Sequence, residues 1–217
     1  MNNEKLISLF DAPISTVRRK DGTVAVATVR PSKCLTLREI WDLITRDVNL
    51  VSLTTAVRLS MNMREAKASM LPYITPCGRF SYRRSNNLLE ASGYVVVDVD
   101  HLDSQEEAEQ MRDRLFADEY LHPALAFVSP SGRGVKVLVP YDTERLTDAA
   151  RNAAENMVWA MQYVQMTYCP ASAWSAKGVD VSGKDIVRAC FLCHDSGALL
   201  RTDENETRVV MTEKSLF

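Results

Sequence analysis

The run Tyr94-Val95-Val96-Val97-Asp98-Val99-Asp100 constrains this chain more than any other segment. Its β-branched, apolar residues predict a strand buried inside a sheet, and two aspartates arrive at the C-terminal end of that strand. Successive side chains of a strand point to opposite faces, so Asp98 and Asp100 share one face while Val97 and Val99 take the other. Two like charges about 7 Å apart at their Cα atoms repel each other and are costly to desolvate, so something cationic has to offset them. A divalent ion, magnesium or manganese, suits paired carboxylate oxygens and a triphosphate substrate. The alternatives are salt bridges, or a pair that simply ends a strand at the solvent.

Around this strand the other elements emerge from periodicity and punctuation. Thr36 to Glu39 has the spacing of a capping box, and Leu37, Ile40, Trp41 and Ile44 then recur at helical spacing, which predicts a helix over 37–47. A second helical region covers 53–70, with a break near Asn62, whose side chain can cap the segment Met63-Arg64-Glu65-Ala66. Ser104 to Glu107 is another capping box, and Ala108, Met111, Leu115 and Phe116 mark one face of the next helix. Ala124–Ser129 and Val135–Val139 read as strands flanking the turn Pro130-Ser131-Gly132-Arg133-Gly134; a helix over 145–167 and a strand over Ile186–Cys193 complete the pattern. Because the 124–139 pair reads as a hairpin, the expected fold class is α/β of the α+β kind, a mixed sheet with flanking helices rather than a purely wound parallel sheet. At the N-terminus, Ile14–Arg19 and Thr23–Val29 flank Lys20-Asp21-Gly22 as a peripheral hairpin. Residues 1–35 are expected to form a β extension, and 36–217 the main domain.

With 217 residues, 46% of them hydrophobic, the chain has material for one sizeable core. The formal charge of -2 excludes an overall basic field, so any nucleic acid must be held by a local patch. Five cysteines, an odd number and scattered, do not make a disulfide framework and fit a reducing compartment. No apolar stretch approaches the roughly 20 residues needed to cross a bilayer, and a cytoplasmic location is the expectation. Cys190, Cys193 and His194, with Cys169, invite a zinc reading, but the arrangement lacks a second compact ligand pair.

Two further clusters carry charge suited to phosphate. The turn 131–136 is not a Walker loop, because it lacks the four-residue spacer and the helix that should come after it. Its glycines still let backbone N–H groups converge, while Ser131 can donate a hydrogen bond and Arg133 and Lys136 supply charge for an oxyanion. A plain structural hairpin is the competing explanation. In Gly178–Arg188, Asp180 can complete a carboxylate triad and Arg188 can contact a phosphate or neutralise the acids; periodicity does not decide between Asp180 and Asp185, and either can cap a turn. Arg79, Arg83 and Arg84 concentrate positive charge in a polar passage, either as a solvated loop or as a phosphate contact.

The phrases Val95-Val96-Val97-Asp98-Val99-Asp100, Phe127 to Lys136 and Gly178 to Arg188 together resemble the VirE-like N-terminal, or BT4734-like, domain of Bacteroides proteins, a domain commonly found ahead of helicase-like ATPase segments in mobile elements. That domain in turn is similar to the archaeo-eukaryotic primase-polymerase superfamily. The resemblance implies a primase-polymerase-like core and metal-dependent nucleotidyl transfer on a nucleic-acid template. Asp98, Asp100 and Asp180 would hold Mg2+ or Mn2+, and Ser131, Arg133, Lys136 and Arg188 would face the nucleoside triphosphate. Arg79 and Arg83 would guide single-stranded nucleic acid, and a helicase-like ATPase would be the partner, in the same chain or in trans. Lys136 falls where the superfamily has histidine, which keeps a cation but changes its reach. A non-catalytic nucleic-acid-binding module that orients a helicase and a metal-dependent nuclease are the alternatives.

Overall fold

The structure, a computed structural model, describes residues 5–18, 21–169, 178–180 and 185–202. The chain begins with β1 (Ile7–Phe10), the short ribbon β2 (Val17–Arg18) and β3 (Val24–Ala25), and β4 (Lys33–Leu35). Three helices come next: α1 (Leu37–Arg46), α2 (Val48–Leu59) and α3 (Met63–Met70). They lead into β5 (Tyr73–Thr75), β6 (Gly78–Phe80), β7 (Leu88–Ala91), β8 (Tyr94–Asp100), α4 (Gln105–Phe116), β9 (Leu125–Val128), β10 (Val135–Pro140) and α5 (Ala149–Tyr168). Three two-residue strands, β11 (Gly178–Val179), β12 (Cys190–Phe191) and β13 (Leu199–Leu200), end the described chain.

The caps lie where the sequence places them. Thr36 and Glu39 exchange both bonds of a capping box, and the Asn62 side chain accepts from the Glu65 amide, which separates α3 from α2. Ser104 accepts from the Glu107 amide at the start of α4. The hairpin turn at Lys20 and the stretch 181–184 of the third polar cluster lie outside the described residues.

Five strands in the order β11-β8-β10-β9-β13 make the main sheet, and four in the order β12-β5-β1-β4 make a second one. Flanking helices and separate sheets make this an α+β domain. Every pairing in both sheets is antiparallel, where the sequence predicts a mixed sheet. The reason is topological: β8 and β9 do run the same way, joined through α4, but the 130–134 turn folds β10 back between them. The strand expected over Ile186–Cys193 shrinks to β12, because the Asp185 carbonyl and carboxylate accept from the amides of Arg188 and Val187 and make a turn there. The N-terminal stretch is woven into the second sheet, with β1 between β4 and β5 and Ile7 and Phe10 fully buried.

Alternation along the central strands separates two cores. Val95, Val97 and Val99 with Val135, Val137 and Val139 pack on α4 and α5, through residues such as Leu115, Met157 and Val164. Tyr94, Val96, Leu138 and Phe127 face the other way, onto Ile7, Ile74, Leu192 and the helices α1 and α2. The main sheet is therefore covered on both faces, and Asp98 and Asp100 belong to the face turned toward the second sheet.

The β9–β10 turn fixes the register that the site depends on. Its backbone closes through Ser129 N–H to the Gly134 carbonyl at 2.8 Å, and Gly132 adopts φ +73°. A Cβ on Gly134 would stand 2.5 Å from the Val99 carbonyl oxygen and 2.9 Å from both Asp100 Oδ1 and Ser129 Oγ. Gly134→Ala is therefore expected to cost about 1–3 kcal/mol by overpacking, read as a lowered urea midpoint. An unchanged midpoint would contradict this close approach.

Candidate functional site

The register Lys136↔Asp98 sets these two residues directly opposite each other on β10 and β8. On the other side of β8, Gly178 pairs with Asp100, and the Asp180 amide donates to the Asp98 carbonyl at 2.9 Å. Directly opposed residues share a face, so antiparallel pairing alone brings Asp98, Lys136 and Asp180 together from three distant parts of the sequence.

Asp98 and Lys136 are only 7% and 5% exposed, so their charges must be satisfied by protein. Lys136 Nζ donates to Asp98 Oδ2. Arg188 Nη2 lies 3.5 Å from the same oxygen and 2.7 Å from Asp180 Oδ2, while its Nη1 donates to the Asp180 carbonyl at 3.2 Å. Burial works most strongly against the Lys136 ammonium, but the facing Asp98 carboxylate, together with Cys190 and Asp100, outweighs it and holds its pKa above the usual lysine range. The offsetting cations that the sequence demands are thus two of the chain's own side chains. The Asp98 Oδ1 atom is buried and has no hydrogen-bond partner among the described residues.

Asp100 is half-buried at the end of β8. Burial, then the Asp98 charge, pushes its carboxyl above the ordinary carboxylate range; Lys136 and Lys67 pull the other way, and Asp180 adds to the push. After Asp100 the chain turns sharply through His101, which has a left-handed φ of 63°. Asp185 sits apart from this centre, accepting from Ser85 Oγ at 3.0 Å and capping the turn before Arg188. Of the two aspartates that periodicity leaves open, Asp180 stands beside Asp98.

The remaining sequence candidates are engaged in holding the frame. Ser131 Oγ lies 3.0 Å from Ser129 Oγ and accepts from the Arg133 amide; Arg133 Nε donates to the Leu102 carbonyl at 2.9 Å, with the rest of its side chain exposed. Arg79 pairs with Glu90 at 3.2 Å. Arg83 lies over the buried Tyr73 ring and donates to the Ile14 carbonyl. What sequence reasoning misses is the cleft beside them, of about 390 Å³, lined by Arg30, Ser81, Tyr82, Arg84 and Asn87. The arginine-rich passage is a signal for Arg84, but nothing in the sequence links it to Arg30, far away along the chain.

As a metal site the centre offers hard oxygen donors: the bare Asp98 Oδ1 and the crowded Asp100 carboxyl suit a divalent cation. Among the described residues no three His, Cys, Asp or Glu side chains are grouped so as to hold an ion by themselves. Magnesium is usually held by one or two carboxylates and completed by water and substrate phosphates, so the lack of such a group neither indicates nor excludes it.

Lys136→Met leaves Asp98 without its main partner and is expected to destabilise the fold by about 3–5 kcal/mol, whereas Asp98→Asn combined with Lys136→Met should recover most of that loss; chemical denaturation of the single and double variants measures the coupling. For Asp100, a raised native pKa means that its stabilising effect is present below the unfolded value and lost as pH rises through the folded one. Asp100→Asn should therefore melt higher than the unaltered chain near pH 7, with the gain fading below about pH 4; melts across that range check the sign.

No described helix is long and apolar enough to cross a membrane. No curated protein and no solved structure matches the chain. Residues 65–199, more than half of the chain, match the family model for the BT4734-like N-terminal domain, a span that takes in β8, the glycine turn, Asp180 and Arg188. The chain belongs to the BT4734-like N-terminal domain family.

Proposed function

We propose that the Asp98 centre is a nucleotidyl-transfer site of the primase-polymerase type, acting with Mg2+ or Mn2+ on nucleoside triphosphates and a single-stranded nucleic-acid template in mobile-element replication. The observation that carries this is the buried Asp98 Oδ1, without a hydrogen-bond partner among the described residues, with Asp100 beside it on a face that also presents Lys136 and Arg188. Asp98 and Asp100 would hold the ion, which when bound supplies charge neutralisation to the triphosphate and polarises its phosphoryl oxygens.

The chain's own groups divide the remaining work. Lys136 donates to Asp98 Oδ2 and so aims the carboxylate, with a cation that a histidine at this position would supply only below its pKa. Arg188 holds Asp180 and can turn one N–H toward a phosphate oxygen, and Asp180 positions that guanidinium. Arg133, exposed on the turn, and Ser131 would face the rest of the triphosphate. The resemblance adds a helicase-like ATPase as the partner, in the same chain or in trans.

A second reading rests on a specific observation: Asp98 Oδ2 is already taken by Lys136 and Arg188, so the centre can be a charge-neutral strut in a module that binds nucleic acid and orients a helicase. Incubating the whole chain with Mn2+, labelled nucleoside triphosphates and a primed single-stranded template decides between them. Strand extension that falls by at least about a hundredfold in Asp98→Asn is the expected result. Shortened strands would assign a nuclease, and strand binding with no product in either chain would assign the non-catalytic module.

A further inference from the structure

Resting on the assignment of this domain to nucleic-acid chemistry, we propose that the cleft between the 81–87 loop and Arg30 is the seat of the single strand, gripping one phosphate and stacking one base. The cleft, of about 390 Å³, is of the size of small-ligand sites, and among the described residues its lining of Arg30, Ser81, Tyr82, Arg84 and Asn87 contains no carboxylate. In a chain of net charge -2, a pocket with two arginines and no acid in that lining is a local reversal of field. Arg30 and Arg84 are accessible at its rim, so their guanidinium groups are open to a phosphate. Tyr82 is half-buried, with the Arg84 guanidinium 5.1 Å over its ring. A base laid on that plane continues the stack without regard to its identity.

The platform is braced. The Ser81 amide donates to the Asn87 carbonyl at 3.1 Å, the Asn87 side chain donates to Ser81 Oγ, and the Arg84 amide to the Tyr82 carbonyl. The Arg83 amide donates to the Val29 carbonyl at 2.9 Å, which ties the loop to the segment carrying Arg30, while the Arg83 side chain is packed on Tyr73. Ser85 Oγ donates to Asp185, whose carbonyl accepts from the Arg188 amide. One short chain of bonds thus connects the loop to Arg188, the residue that grips Asp98 and Asp180. Arg30 lies outside the span matched by the family model, and Ser81, Tyr82, Arg84 and Asn87 lie inside it.

The test is fluorescence anisotropy of a labelled oligothymidylate on the whole chain across about 50 to 200 mM salt. Each phosphate neutralised on a single strand contributes about 0.7 to the slope of log affinity against log salt, so Arg30→Ala with Arg84→Ala, which releases the one gripped phosphate, should flatten it by about 0.7 and weaken binding at least tenfold. Tyr82→Ala should weaken binding by about tenfold with the slope kept, and Tyr82→Phe should bind as the unaltered chain does. An unaltered chain that does not bind, or a double-arginine or Tyr82→Ala variant that binds as before, overturns the proposal. So does polyglutamate bound as tightly as the oligonucleotide and indifferently to Tyr82, which would make the cleft a general polyanion surface. The two assignments fail separately: arginine-dependent binding without strand extension upholds the cleft and sinks transfer, while extension with binding unaffected by these variants sinks the cleft alone.

Discussion

An ion pair enclosed between two sheets governs this structure. Asp98 and Lys136 face each other across β8 and β10, on the face that meets the second sheet, with the buried Cys190 thiol among their neighbours. The low polarity of that setting raises the cost of an unmatched charge, as the Cys190 thiol records, pushed up to about 11 by burial. Neither residue is tolerable there without the other, and a one-residue slip of the β8–β10 register would strand both on opposite faces. The turn that prevents such a slip, with Gly134 against the Val99 carbonyl, is part of the same device.

The antiparallel arrangement then gathers the rest. Because β10 lies between β8 and β9, and β11 flanks the other edge of β8, the three strand segments that carry charge converge on the C-terminal end of β8. The second sheet and helices α1 to α3 close that face along most of its length and leave Asp100 only half-covered. A deep, paired acid and a shallow, crowded one therefore stand two residues apart, in surroundings that treat their charges differently.

Much of this is legible in the residues. The apolar run that ends in Asp98 and Asp100, the helix caps at Thr36, Asn62 and Ser104, and the glycine turn each carry a local signal, and each lies where that signal points. The need for a cation is equally legible, but its source is not. Only the β8–β10 register shows that Lys136 lies opposite Asp98, and register is a property of two segments, not of one. The same limit explains the strand order, the integration of β1 and the meeting of Arg30 with Arg84. It also explains why the contacts of Arg79 with Glu90 and of Arg83 with Tyr73 are not legible in the residues, since these partners are neighbours only in space.

Arg188 shows what a branched cation adds to such an arrangement. Its two terminal nitrogens divide their bonds, one on the Asp180 main chain and the other shared between the carboxylates of Asp98 and Asp180. A guanidinium can release one arm to an arriving anion and stay anchored by the other, so Arg188 keeps its fastening to the Asp180 main chain while the acids are exposed. A single-headed ammonium at that place would have to let go entirely.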